Sequence, residues 1–222
     1  MTDEFIQEVD DEYRRQRIAE IWARYGLAIV IFAALLVGAV GAWRYWQHLE
    51  SQKAEAASTR YEDAVGLARD GKGDEAEAVL RAISAEGPAG YARLARFRLA
   101  AELGQGDPEA GAKAYDALAS DGATDQAMRD LARLRAASLR LGSGDGAAGL
   151  RELEGMAVPG NPWRHTAREL LGLAALKRAD FEGAGRWFDG IAADRETPAN
   201  LRNRLEIYTA LAAGGAVGQT TQ

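Results

Sequence analysis

Four turns in this chain carry a Gly-Asp or Ala-Asp pair at near-regular spacing: Gly73-Asp74, Gly106-Asp107, Gly144-Asp145 and Ala179-Asp180, spaced 33, 38 and 35 residues apart. A recurrence near that length constrains the fold more than any single segment does. It requires one supersecondary unit to be built several times and stacked, because no copy can bury its apolar face alone. The second and fourth copies align without gaps, DPEAGAKAYDAL (Asp107 to Leu118) on DFEGAGRWFDGI (Asp180 to Ile191), which pairs Tyr115 with Phe188 and Leu118 with Ile191. Leu103, Leu141 and Leu176 each stand four residues before the shared aspartate.

From Ala54 onward apolar residues recur at spacings of three and four with little β-branched alternation, which predicts helices throughout. The prolines fall at helix starts or in turns. Asp107-Pro108, Asn161-Pro162 and Thr197-Pro198 each place a capping side chain before a proline at the expected first helical position. In each pair the aspartate is expected to cap the second helix, with Ala110, Ala148 and Gly183 allowing close approach between helices. A period near 34 is that of the tetratricopeptide helix pair. The expected fold is therefore all-α: a single N-terminal transmembrane helix followed by a tetratricopeptide-like helical repeat solenoid.

The transmembrane helix is read from YGLAIVIFAALLVGAVGAW, Tyr25 to Trp43, 19 residues without a charge. At about 1.5 Å per residue they reach roughly 28 Å, close to the thickness of bilayer hydrocarbon. Trp22, Trp43 and Trp46, with Tyr25 and Tyr45, sit where aromatic rings favour the lipid–water interface. A cleavable signal would need a short basic flank. Here the first 24 residues carry seven acids, Asp3, Glu4, Glu8, Asp10, Asp11, Glu12 and Glu20, so a retained anchor is expected. Arg14, Arg15, Arg17 and Arg24 before the span outnumber Arg44 and Lys53 after it, which orients the N-terminus to the cytoplasm. The expected boundaries are a tail over 1–24, a span over 25–46, a repeat domain over 47–213 and a disordered Gly-rich tail over 214–222. Along the span, Ala34, Gly38 and Ala42 recur every four residues, a seam on which another helix could pack.

Charge is sorted by helix. The expected first helices are basic (Arg93, Arg96, Arg98; Arg129, Arg133, Arg135, Arg140; Arg164, Arg168, Lys177, Arg178). The second helices are acidic (Asp107, Glu109, Asp116, Asp121; Asp145, Glu152, Glu154; Asp180, Glu182, Asp189, Asp194). If first helices line the concave face, Arg96, Arg133 and Arg168 mark a basic groove suited to an acidic peptide. The alternative is that basic first helices pair with acidic second helices and complement the helix dipoles.

A net charge of −6 and a pI near 5.1 argue against a nucleic-acid partner. With no cysteine and two histidines far apart, His48 and His165, no Cys/His metal site is expected. Gly144-Asp145-Gly146-Ala147-Ala148-Gly149 matches a dinucleotide fingerprint in letters, but a helix rather than a strand precedes it. Neither a catalytic motif nor a cofactor is expected. An unrecognised site around His165, Trp163 and Trp187 is the enzymatic alternative, against which His165 reads as an ordinary surface histidine.

The run AWRYWQH (Ala42 to His48), RYEDAV (Arg60 to Val65), GYARLARFRLA (Gly90 to Ala100) and TPANLRNRL (Thr197 to Leu205) resembles the YfgM-like family, the ancillary subunit of the bacterial Sec translocon, over almost the whole chain. The resemblance implies an inner-membrane protein with periplasmic repeats, associated with SecYEG and with a membrane-anchored, prolyl-isomerase-like periplasmic chaperone. It implies a scaffold that helps newly translocated proteins reach folding factors, and no enzymatic role for any residue. The same fold could instead organise cell-division or wall-synthesis proteins.

Overall fold

The computed structural model describes residues 2–143 and 146–220, with side chains placed for 22–28, 30–32, 34–143 and 146–215. Among the described residues all regular structure is helical, in the order α1 (Thr2–Arg69), α2 (Gly73–Glu86), α3 (Ala89–Gly106), α4 (Pro108–Ala119), α5 (Gln126–Arg140), α6 (Gly146–Met156), α7 (Arg164–Lys177), α8 (Phe181–Ala192) and α9 (Ala199–Thr220). The chain divides into two compact units, Met1–Ala56 and Ala57–Gln222.

The first unit is the greater part of α1, which contains a stretch long and apolar enough to cross a membrane. Its large apolar side chains are mostly exposed, among them Leu27, Phe32, Leu35 and Val37. That pattern suits lipid and not a water-soluble core. From Thr2 onward, the tail expected over 1–24 and the span expected over 25–46 belong to one uninterrupted helix, while the side chains of 1–21 lie outside the described residues.

The second unit is built from helix pairs: the end of α1 with α2, then α3/α4, α5/α6 and α7/α8, followed by α9. Its core is four apolar clusters in series. The first joins Ala64, Leu80, Ile83 and Ala95. The next is centred on Ala112, Tyr115, Leu118 and Ala136, and the third on Leu134, Leu153, Met156 and Leu171. The last holds Ala184, Phe188, Ile191, Leu201 and Leu205. Burying each Leu, Ile or Phe contributes about 1.5–3 kcal/mol, more than an exposed ion pair, so these clusters rather than the surface charges hold the stack together.

One register recurs in the second helices. The fourth residue of each is small and buried (Ala76, Gly111, Gly149, Ala184). The eighth and eleventh are the core residues: Leu80 and Ile83, Tyr115 and Leu118, Leu153 and Met156, Phe188 and Ile191. A Cβ on Gly111 would stand 2.7 Å from the backbone nitrogen of Gly104, and one on Gly149 would stand 2.7 Å from the Ala137 carbonyl oxygen. The small residue at the fourth position therefore lets each second helix approach its partner. The tight contacts expected at Ala110 and Ala148 fall one residue later.

This register corrects the first repeat. Asp107 accepts from the N–H groups of Glu109 and Ala110 at 3.0 and 3.2 Å, and Asp180 accepts from Gly183 at 2.8 Å, so both cap their helices as expected. In α2 the cap position is held by Lys72, without a side-chain cap, and Asp74 lies inside the first turn. Asp145 lies outside the described residues. Asn161 and Thr197 do not act as the expected caps either. Asn161 closes a turn onto the Trp163 N–H at 2.8 Å, with α7 starting at Arg164, and Thr197 is buried two residues before α9. Past Ala213, where a tail is expected, the backbone of α9 continues to Thr220, and Gly215 lies so close to the Phe181 ring that any larger residue would collide with it.

Candidate functional site

The basic side chains of the first helices are largely committed to partners within the fold. Arg96 of α3 donates to Asp121, after α4, at 2.6 Å, and with the Ala123 N–H it holds that carboxyl below its ordinary value. Arg93 reaches Asp125 at 3.3 Å, and Asp125 in turn caps α5 through the Met128 N–H at 3.0 Å. Arg140 joins Asp116 of α4 and Glu152 of α6, and the bond it donates to Asp116 raises its pKa. Glu152 is shifted upward because burial outweighs its attraction to Arg140. The three residues expected to form a groove thus belong to three separate ion-pair sets. Arg96 ties α3 to the α4–α5 turn, and Arg133 pairs with Asp130 one turn earlier on its own helix at 3.1 Å. Arg168, 13% exposed, donates to the carbonyls of Ala157 and Gly190 at 3.0 and 3.1 Å.

A hub forms where α7 meets the α8–α9 turn. Asp194 receives Arg164 at 2.8 Å, Arg168 at 3.4 Å and the Glu196 N–H at 3.0 Å. The Arg164 guanidinium and that N–H hold its carboxyl well below the usual carboxylate range. His165 is 7% exposed, which corrects its reading as a surface residue. The Thr197 hydroxyl donates its one proton to the Ile191 carbonyl at 2.7 Å, so it accepts from His165 Nδ1 at 3.2 Å. This assigns the tautomer and leaves Nε2 buried without a hydrogen-bond partner, 3.8 Å from Asp194. Burial first, and Arg164 second, lower the histidine's pKa, so it is neutral near pH 7. Trp163 and Trp187 do not join it at a site. They pack against the cluster of Leu153, Met156 and Leu171. Among the described residues no group of histidines and carboxylates is placed to hold a metal ion.

On the apolar helix, Ala34, Gly38 and Ala42 are exposed, and a Cβ on Gly38 would meet only open space. The aromatic flanks Trp22, Tyr25, Trp43, Tyr45 and Trp46 are likewise exposed.

One open groove does lie between helix pairs. It has a volume of about 710 Å³ and is lined by the start of α6, the second half of α7 and the end of α5, with leucines along it and Lys177 and Arg178 at one end. Its leucines follow the helical period, but the opening itself arises from the divergence of α6 and α7, consecutive helices that belong to different pairs.

Comparison with known proteins agrees with this architecture. The model of a tetratricopeptide repeat-like domain matches residues 20–206. The chain is 29% identical over 187 residues to a protein of Escherichia coli (strain K12) described as an ancillary SecYEG translocon subunit, covering 83% of this chain and 88% of that one. No solved structure matches. A family match that runs from the apolar helix into α9, on a stack of helix pairs with a common register, shows that this chain belongs to the tetratricopeptide repeat-like domain family.

Proposed function

We propose that this chain is a membrane-anchored interaction scaffold, ancillary to a SecYEG translocon, with its repeats in the periplasm, where it helps newly translocated proteins reach periplasmic chaperones. The observation that carries this reading is the match to the ancillary SecYEG translocon subunit over most of both chains. The mechanism is positional and non-enzymatic. An anchor at the channel raises the effective concentration of a binding surface where chains emerge, which strengthens weak binding without new contacts. A membrane-anchored, prolyl-isomerase-like chaperone is the proposed recipient. The exposed Ala34, Gly38 and Ala42 face is the proposed lateral contact in the bilayer, since small residues let helices pack closely.

The test is isolation of the tagged full-length protein in mild detergent with identification of what it retains. Recovery of translocon subunits together with a periplasmic chaperone supports the assignment, and recovery of division or wall-synthesis proteins alone overturns it. Orientation is tested separately. The chain has no cysteine, so one cysteine placed at exposed Leu94 is a unique reporter. Labelling of intact spheroplasts by an impermeant maleimide places the repeats outside the cytoplasm, and labelling only after lysis reverses the topology.

A further inference from the structure

We propose that the groove between α6 and α7 binds a peptide segment whose large apolar side chains are followed by acidic residues. The proposal rests on the reading of this chain as a binding scaffold and names the partner chemistry at one surface of it.

The groove exists because two antiparallel helices are joined tightly at one end only. Near their connection Met156, Leu153, Trp163 and Leu171 close the space between them. At the other end the start of α6 and the last turns of α7 leave about 710 Å³ open, enough for several side chains of a bound segment. Leu141, Leu150, Leu170 and Leu173 form its walls, and all four are half-buried. They offer apolar area that water covers poorly and that a ligand would release from water.

Charge then decides between occupants. Lys177 and Arg178 stand at one end of these walls, both exposed, and neither side chain makes a hydrogen bond or ion pair with the described residues. That sets them apart from Arg93, Arg96, Arg140, Arg164 and Arg168, whose guanidinium groups are held by acids or carbonyls of the fold. A base at a helix C-terminus complements the helix dipole wherever it occurs. That reason does not account for two unpaired cations at the mouth of an apolar groove. A segment with leucine-like side chains ending in aspartate or glutamate fits both features, while one ending in lysine would meet like charge.

The experiment uses the full-length protein in mild detergent and two dye-labelled synthetic peptides. One carries three leucines spaced by alanines and then three glutamates; its twin carries three lysines in their place. Fluorescence anisotropy is expected to show the acidic peptide binding at least tenfold more tightly than its twin, with affinity falling as salt rises. The double variant Lys177→Glu, Arg178→Glu alters two exposed side chains, and its unchanged helix content and thermal midpoint are checked first. It should lose at least tenfold in affinity for the acidic peptide and gain for the basic one. Leu173→Ser should weaken both peptides. Equal binding of the two peptides by the native protein, or unchanged preference in the double variant, overturns the proposal. Copurification measured alongside peptide binding on the native protein keeps the two readings apart. Translocon subunits retained without peptide selectivity remove the groove and leave the Sec assignment standing. Peptide selectivity without translocon subunits does the reverse.

Discussion

At the residue scale, the most consequential side chains are those that join helix pairs through backbone carbonyls. Arg168 satisfies the carbonyls of Ala157, just after α6, and Gly190, in the last turn of α8. Arg168→Ala should cost about 1–3 kcal/mol by leaving those acceptors unpaired, measurable by denaturant unfolding. Arg168→Lys should recover only part, since an ammonium cannot span the two as a planar fork does. The same hub sets a pH dependence. His165 binds protons less readily folded than unfolded, so stability is complete above its unfolded value of about 6.5 and falls as pH drops below it. Asp194, whose folded pKa is depressed, adds a second loss that begins only as pH falls below about 3.9. His165→Gln should flatten the fall of the thermal midpoint between pH 7 and 5 and leave the acid limb intact; a native-like slope in that window removes the assignment. This hub was not legible in the sequence. Asp194 is 26 residues from Arg168 and 30 from Arg164, with no local motif linking them, and the helical period alone gives no sign that His165 is buried.

At the element scale, the second helices make the repeat. Their fourth, eighth and eleventh residues fix spacing and core together, which is why a register unites α2 with the rest even though its aspartate does not. The sequence period led correctly to stacked helix pairs because turn residues recur at nearly the repeat length. It misplaced the first copy because Gly73-Asp74 mimics the turn two residues out of register, and only the buried set Ala76, Leu80 and Ile83 shows the shift. Gly149→Val should therefore destabilise by about 1–3 kcal/mol through the clash with the Ala137 carbonyl, whereas the same change at Gly155, with open space around it, should be close to neutral, since valine is no poorer a helix former than glycine. Ala179 is the reverse case. Its φ of 59° is a conformation that favours glycine, so Ala179→Gly should raise stability by up to about 1 kcal/mol. Equal thermal midpoints for the two valine variants would show that the close approach at Gly149 is easily relaxed.

At the scale of the whole molecule, all four apolar clusters lie in residues from Ala57 onward. A chain beginning at Ala57 should accordingly fold with the helix content expected of α2 to α9, and a broad, uncooperative melt would show that the apolar helix is needed to complete the stack. Within that unit, coupling is between neighbours. Leu201 and Leu205 of α9 close only the cluster that holds Ala184, Phe188 and Ile191, while Tyr115 and Leu118 belong to another two clusters away. In such a linear arrangement stability is a sum of repeat and interface contributions, so damage should spread outward from its source and weaken with distance. Leu205→Ala should cost about 2–5 kcal/mol at its own interface. Amide exchange should then quicken strongly in α8 and α9, less in α7, and little in α3 and α4. A uniform loss of protection from α2 to α9 would instead mean that the unit unfolds as one body, so that a binding event at the α6–α7 groove would be felt as far as α2. A graded loss would confine the influence of that groove to its neighbours, leaving the two ends of the stack able to engage different partners independently.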